Sequence, residues 1–196
     1  MLADGYHDVP PGKVAMVVTH LEMTEPADTR EVPMPPGVTF EAKKPDVAWY
    51  RDIFERVGAP WLWFGRCKLS DAKLDLIISD PNVAIFSLSV DGRDEGILEL
   101  DFRTEGECEL AYFGLTDRLI GSGAGRFLMN RAIGLAWTNP IKRFHVHTCT
   151  IDSPNALGFY IRSGFKPYRT QVEIADDPRL IGLLPEDVAP HVPIIR

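Results

Sequence analysis

The sequence predicts an α+β layered domain built on a mixed, mostly antiparallel sheet flanked by helices. Three observations lead there. Residues 83–115 hold three strand-like runs joined by short glycine-containing turns, the hydrophobic period becomes helical after Gly125, and strand, helix and strand follow to residue 174. Turns of that length join antiparallel neighbours, and the alternation that follows adds strands beneath a covering helical layer.

Along the chain, residues 14–23 (VAMVVTHLEM) read as a β-branched first strand. Residues 24–45 read as an irregular linker, because Pro26, Pro33, Pro35, Pro36 and Pro45 interrupt any regular element. Residues 47–57 have helical spacing that stops at Gly58, and Ser70 is placed to cap a short helix over 71–79 with Leu74, Ile77 and Ile78 on one side. Between these helices lies the aromatic run APWLWFGRC. The meander comprises 83–90, 96–103 and 108–115, after which 126–137 is helical, 144–150 a strand, 155–163 a helix and 167–174 a strand. The organisation expected is an extension over 1–13, a single domain over 14–175 and a tail over 176–196. The tail has four prolines and Leu180, Ile181, Leu183 and Leu184, so it should pack on the domain or on a second subunit, and a homodimer is the expectation drawn from it.

Composition narrows the function. A chain of 196 residues with 45% hydrophobic and 25% charged residues buries a sufficient core without staples. Cys67, Cys108 and Cys149 are odd in number and widely spaced, which encodes neither a disulfide framework nor a structural zinc site and fits a reducing, cytoplasmic interior. No basic-then-apolar leader and no run of about 18 apolar residues is present, so a soluble, unexported protein is expected. A formal charge of −7 argues against nucleic acid or anionic lipid as partner and is compatible with a cationic substrate.

Gly121-Ser122-Gly123-Ala124-Gly125 stands between a strand and a helix, where free amides and the helix dipole favour an anion. A tight connection with no ligand is the plain alternative. A Walker loop is excluded because Arg126 and Phe127 follow Gly125 in place of Lys-Ser/Thr. A dinucleotide fold is disfavoured because an antiparallel meander precedes the loop and the next strand, FHVHTCT, carries no acid.

Two segments together resemble a known family. IGSGAGRFLM resembles the acetyl-CoA loop of the GCN5-related N-acetyltransferases (GNAT), Gln/Arg-x-x-Gly-x-Gly/Ala, with Ile120 at the position of Gln or Arg. NALGFYIRSGF is similar to that family's downstream Asn-x-x-Ala/Tyr-x-x-x-Gly-Phe helix, with Asn155, Ala156, Tyr160, Gly164 and Phe165 in register. The resemblance covers about residues 83–174 and implies the acyl-CoA N-acyltransferase fold, acetyl-CoA as cofactor and direct acetyl transfer to an amine. It implies that Gly121, Ser122, Gly123, Ala124, Gly125 and Arg126 hold the pyrophosphate, that Phe113, Gly114 and Leu115 give main-chain contacts to pantetheine, and that Asn155 bonds near it. It further implies Tyr160 as the acid that protonates the leaving thiolate, and Glu109 as the base.

The residues also carry plainer readings. Ala156, Phe159 and Tyr160 fall at i, i+3 and i+4, as a core stripe does. Asn155 suits a helix cap, and Glu109 a strand end in water. Glu109 is expected to share a strand face with Ala111 and Phe113, and Glu99 and Asp101 are reserve bases on the preceding strand. Trp49, Tyr50, Trp61, Trp63 and Phe64 either wall an amine site by cation–π contact or simply cover the sheet. Of these, Tyr50, Trp61 and Trp63 are the acceptor-binding candidates, for a small-molecule amine. His145 and His147 share a strand face but lack a third ligand, so no metal is expected, and Cys149 shows no sign of a depressed pKa. The rival from another class is a non-catalytic acyl-CoA-binding module.

Overall fold

The computed structural model describes residues 3–196, so Met1 and Leu2 of the expected extension lie outside the described residues. Seven strands form one sheet: β1 Lys13–Met23, β2 Val38–Lys43, β3 Val83–Val90, β4 Arg93–Asp101, β5 Glu107–Leu115, β6 Arg143–Cys149 and β7 Lys166–Asp176. Among the described residues four α-helices accompany them, α1 Val47–Gly58, α2 Asp71–Ile78, α3 Ala124–Ala136 and α4 Ala156–Arg162, and a 3-10 turn, Ala59–Trp61, follows α1. The strand order is β2-β3-β4-β5-β6-β1-β7, and every neighbouring pair is antiparallel except β5 and β6. Strand β1 therefore lies between two strands that come more than a hundred residues later, a position its sequence does not announce.

Each element has a local cause. Asp46 accepts from the Trp49 amide at 2.8 Å to start α1, and Ser70 accepts from Lys73 to start α2, as expected of an N-cap. Strands β3 and β4 are joined by Asp91-Gly92 alone, both at positive φ, the two-residue turn whose twist matches a hairpin.

The proline-rich segment departs from the linker expectation. Within it, Val38-Thr39-Phe40-Glu41-Ala42-Lys43 alternates cleanly and contains no proline, and it pairs with β3 as an edge strand. Residues 24–37 cross to reach that edge over the α3–α4 face, where Ala27 packs on the core and Asn130 donates to the Arg30 carbonyl at 2.7 Å.

Both faces of the sheet are covered. Leu128, Met129, Ala132 and Ala136 of α3 and Tyr160 of α4 pack on Leu98, Leu100, Leu110 and Phe144. On the opposite face Tyr50, Ile53, Phe54 and Val57 of α1, with Leu74 and Ile78 of α2, pack on Val83, Ile85 and Ile97. Next to them the tail lies on its own chain: Leu184 and Ala189 cover Val14, Met16 and Val18. Buried Arg179 fastens that tail by donating to Asp177 and to the carbonyls of Val188, Ala189 and Val192.

Candidate active site

Parallel strands β5 and β6 pair over only three positions, Glu107 with Arg143, Cys108 with Phe144 and Glu109 with His145. Beyond them the strands separate although both continue, β5 to Leu115 and β6 to Cys149. The sheet thus opens into a V, and a cavity of about 560 Å³ occupies it. Leu110 to Leu115 form one wall, and Val146, His147 and Cys149 form the other. Gly121, Gly123, Gly125 and Arg126 border it, as do Asn155, Ala156, Phe159 and Tyr160, with Trp61 to Gly65 across the sheet. One edge of β5 is consumed by β4, and the other faces the gap, so its peptide groups beyond Glu109 are free to pair with a ligand.

At one border lies the glycine loop. Gly121 and Gly123 have φ of 80° and 90°, and a Cβ at either would meet nothing within 4 Å, so the glycines serve backbone conformation rather than clearance. Gly123 caps α3 without a side-chain bond; the Ala124 amide donates to Ser122 Oγ at 3.3 Å and the Arg126 amide to the Gly123 carbonyl at 3.1 Å. This leaves the amides of Gly121, Gly123 and Gly125, the three loop glycines that border the cavity, without a partner among the described residues. Ser122 turns inward to the Leu119 carbonyl at 2.7 Å. The Arg126 guanidinium donates to Ser163 Oγ at 2.8 Å and lies 4.8 Å from the Phe159 ring; it forms no ion pair among the described residues. Burial, then neighbouring Arg162, lowers its pKa, as expected of two cations lacking a counter-ion.

Tyr160 lies beneath the V, its ring against Phe113, Phe159 and Phe165. Burial, and secondarily the Asp152 carboxylate, holds its phenol well above the ordinary value, so it keeps its proton. Asn155 precedes α4, is exposed and borders the cavity without capping the helix through its side chain.

A bulge changes the expected face of Glu109. Leu100 stands opposite Leu110 but Glu99 opposite Tyr112, so Ala111 is an extra residue in β5. Glu109 therefore shares its face with Asp101 and Tyr112, while Phe113 joins Leu98 on the α3–α4 face. Glu109 does not line the cavity; its Oε1 lies 3.7 Å from Nδ1 of His147, which does. The reserve acids are engaged elsewhere. Asp101 pairs with Arg103 at 2.5 Å, and fully buried Glu99 accepts from Tyr50 and Arg66. Burial raises the Glu99 pKa against the opposing pull of Arg66.

Of the aromatics, Trp61, Trp63 and Phe64 line the cavity, whereas Tyr50 is buried behind it on Glu99 and Trp49 is turned to Asp94. Gly114 allows β5 to approach this wall, since a Cβ there would lie 2.4 Å from Val57. Trp63 Nε1 donates to Asp152 Oδ1 at 3.2 Å and so ties the helical layer to the far side of the V. Asp152, which sequence reasoning passed over, also accepts from Thr148 Oγ1 and the Cys149 amide. Its only signal is the Asp-Ser-Pro-Asn turn after β6. Burial pushes the Cys149 thiol up to about 12, which disfavours a thiolate nucleophile. Among the described residues no group of three or more His, Cys, Asp or Glu is placed to hold a metal ion.

No protein-family model matches the chain, and no curated protein does. Solved structures match. A GCN5-related N-acetyltransferase from Sphaerobacter thermophilus is 15% identical, with a TM-score of 0.61 over 86% of this chain and 53% of that one. A GCN5-related N-acetyltransferase from Kribbella flavida is 19% identical, with a TM-score of 0.54 over 87% and 63%. The chain has the GNAT fold. It spans 53% and 63% of the length of those two proteins. An aminoglycoside acetyltransferase from an uncultured soil metagenomic sample, solved in complex with sisomicin, shares the GNAT fold at 14% identity, with a TM-score of 0.52 over 65% of this chain and 88% of that one.

Proposed function

We propose that the chain is an N-acetyltransferase that moves the acetyl group of acetyl-CoA to a primary amine of a small molecule in a ternary complex. The observation that carries this reading is the cavity in the split between β5 and β6, bordered by the glycine loop and by the Tyr160 ring. The donor set suits a phosphate-bearing thioester: loop amides at a helix N-terminus, an arginine without a carboxylate, and a free strand edge for an amide-containing arm.

Acetyl-CoA supplies an activated acyl carbon on a thiolate leaving group. The residues of the chain supply the rest. The Gly121, Gly123 and Gly125 amides in the loop from Gly121 to Arg126, with the Arg126 side chain, hold the pyrophosphate, and peptide groups of Phe113, Gly114 and Leu115 align the arm along β5. As the amine nitrogen bonds to the acyl carbon and the carbon–sulfur bond breaks, the amine must lose a proton and the sulfur must gain one. Tyr160, whose phenol is protonated at neutral pH, gives its proton to sulfur. His147 accepts the amine proton at the cavity wall, and the Glu109 carboxylate, 3.7 Å from its Nδ1, favours the imidazolium that forms. Trp61, Trp63 and Phe64 cover the acceptor. Three unpaired cysteines agree with a reducing, cytoplasmic setting, and no helix among the described residues is long and apolar enough to cross a membrane.

A thermal melt with saturating acetyl-CoA, with CoA and NAD in parallel, tests the first half of the reading. Ligand at a hundred times Kd adds about 2.7 kcal/mol, which raises the midpoint by about 5–11 °C for a chain of this size. A shift with acetyl-CoA and none with NAD is expected, followed by CoA release over a panel of small amines. No shift at millimolar acetyl-CoA would refute the cradle; a shift with no release from any amine would favour a non-catalytic acyl-CoA-binding module.

A further inference from the structure

The far edge of the sheet is unusual. β7 is eleven residues long, exposed at every position but Ala175, and unpaired on its outer side. An exposed edge of that length presents a row of free N–H and C=O groups that a second strand can adopt. The opposite edge, β2, has only six residues. Beside the β7 edge, Val172 and Ile174 share a face with Val17 of β1, and these three side chains are 51%, 53% and 41% exposed.

The charge order of β7 selects the occupant. In Lys166-Pro167-Tyr168-Arg169-Thr170-Gln171-Val172-Glu173-Ile174-Ala175-Asp176 the basic residues precede Gln171 and the acidic ones follow it. Antiparallel pairing of two such strands about a two-fold axis at Gln171 sets Arg169 of each against Glu173 of the other, and Thr170 against Val172. The Arg169–Glu173 contact, made twice by the two-fold axis, is an opposite-charge pair of the kind that stabilises sheets. Neither Arg169 nor Glu173 has an ion-pair partner within the chain among the described residues, so both are available. The bulge at Tyr168 bends the strand beyond Arg169, which limits the pairing counted on to 169–173. Charges, proline and bulges blunt sheet edges; Pro167 and the bulge at Tyr168 blunt the start of β7, whereas residues 169–173 carry both signs of charge in the order that attracts a second copy.

We propose that β7 pairs with β7 of a second copy of this chain, joining two seven-stranded sheets into one. Glu173 also lines the cavity, so the pairing brings the partner's Arg169 to the cavity rim. The dimer stands or falls separately from the transferase reading.

Sedimentation of the full chain at micromolar concentration tests it. The wild type should sediment at twice 21.9 kDa. Arg169→Glu and Glu173→Arg should each weaken association about tenfold or more, since two like-charge pairs replace two opposite ones, and the double reversal should restore it. All three keep exposed side chains, and unchanged melting of the monomer shows that they fold. Gln171→Cys gives a second readout, a dimer covalently closed under mild oxidation, because residues facing each other across an antiparallel pair are within disulfide reach. A monomeric wild type overturns the proposal. So does a dimer indifferent to the single reversals, or a double reversal that stays monomeric.

Discussion

Replacing Arg66 by Met should destabilise the protein by about 3–5 kcal/mol at neutral pH, the usual cost of stranding one member of a buried ion pair. The magnitude follows from the surroundings. Glu99 is fully buried on β4, and its two partners are the Arg66 guanidinium and the Tyr50 hydroxyl, so the substitution leaves a carboxylate with one neutral donor. For a chain of this length the midpoint should fall by about 6–20 °C in a calorimetric melt. The deficit should depend on pH. Burial already raises the Glu99 carboxyl above its ordinary value, and loss of the cation raises it further. A carboxyl raised in the folded state favours folding when protonated, and that contribution is lost as pH climbs from the unfolded value through the folded one. The variant should therefore recover toward the wild type between neutral pH and about pH 5, and the double variant Arg66→Met with Glu99→Gln should recover most of the loss at pH 7. A midpoint drop below about 2 °C, or a deficit flat with pH, would refute the reasoning and return Glu99 to the pool of candidate bases.

Two further outcomes bear on the site. Tyr160→Phe keeps the packing against Phe113, Phe159 and Phe165 and removes only the proton donor, so kcat should drop about a hundredfold or more with acetyl-CoA affinity nearly unchanged; equal kcat would remove the acid assignment. Gly123→Ala meets no steric obstacle, but the residue's φ of 90° should cost about 1–2 kcal/mol and weaken acetyl-CoA, visible as a smaller ligand-induced rise in melting temperature; an unaltered rise would show that the loop is only a turn.

Periodicity located the meander, α1 to α4 and the C-terminal strands to within a few residues, because each buries one face against a single neighbour layer. Three features lay beyond it. β2 was masked by the prolines on either side of an alternating hexamer, and the pairing of β1 with β6 and β7 depends on partners that no local pattern reveals. The bulge at Ala111 is the third, since one extra residue inverts every face assignment after it. That inversion separates Glu109 from Phe113. The glycine loop was legible because its chemistry is local, Gly121 and Gly123 both adopting the left-handed conformation. Tyr50 was not: an aromatic on a helix reads alike whether it walls a cavity or closes on a buried carboxylate, and only the Glu99 opposite decides it.

The position of β1 has a consequence for how the protein is made. On the ribosome residues 13–23 emerge well before the two strands they pair with, leaving Val14, Met16 and Val18 still to be covered. Their neighbours, residues 143–149 and 166–176, follow only after a delay on the order of ten seconds. For that interval β2 to β5 can assemble their half of the sheet, while the first strand waits as an apolar ribbon. A stall or a premature stop anywhere before β6 would leave that ribbon permanently unpaired, so truncated products should be drawn to chaperones or aggregates even where the meander itself has folded.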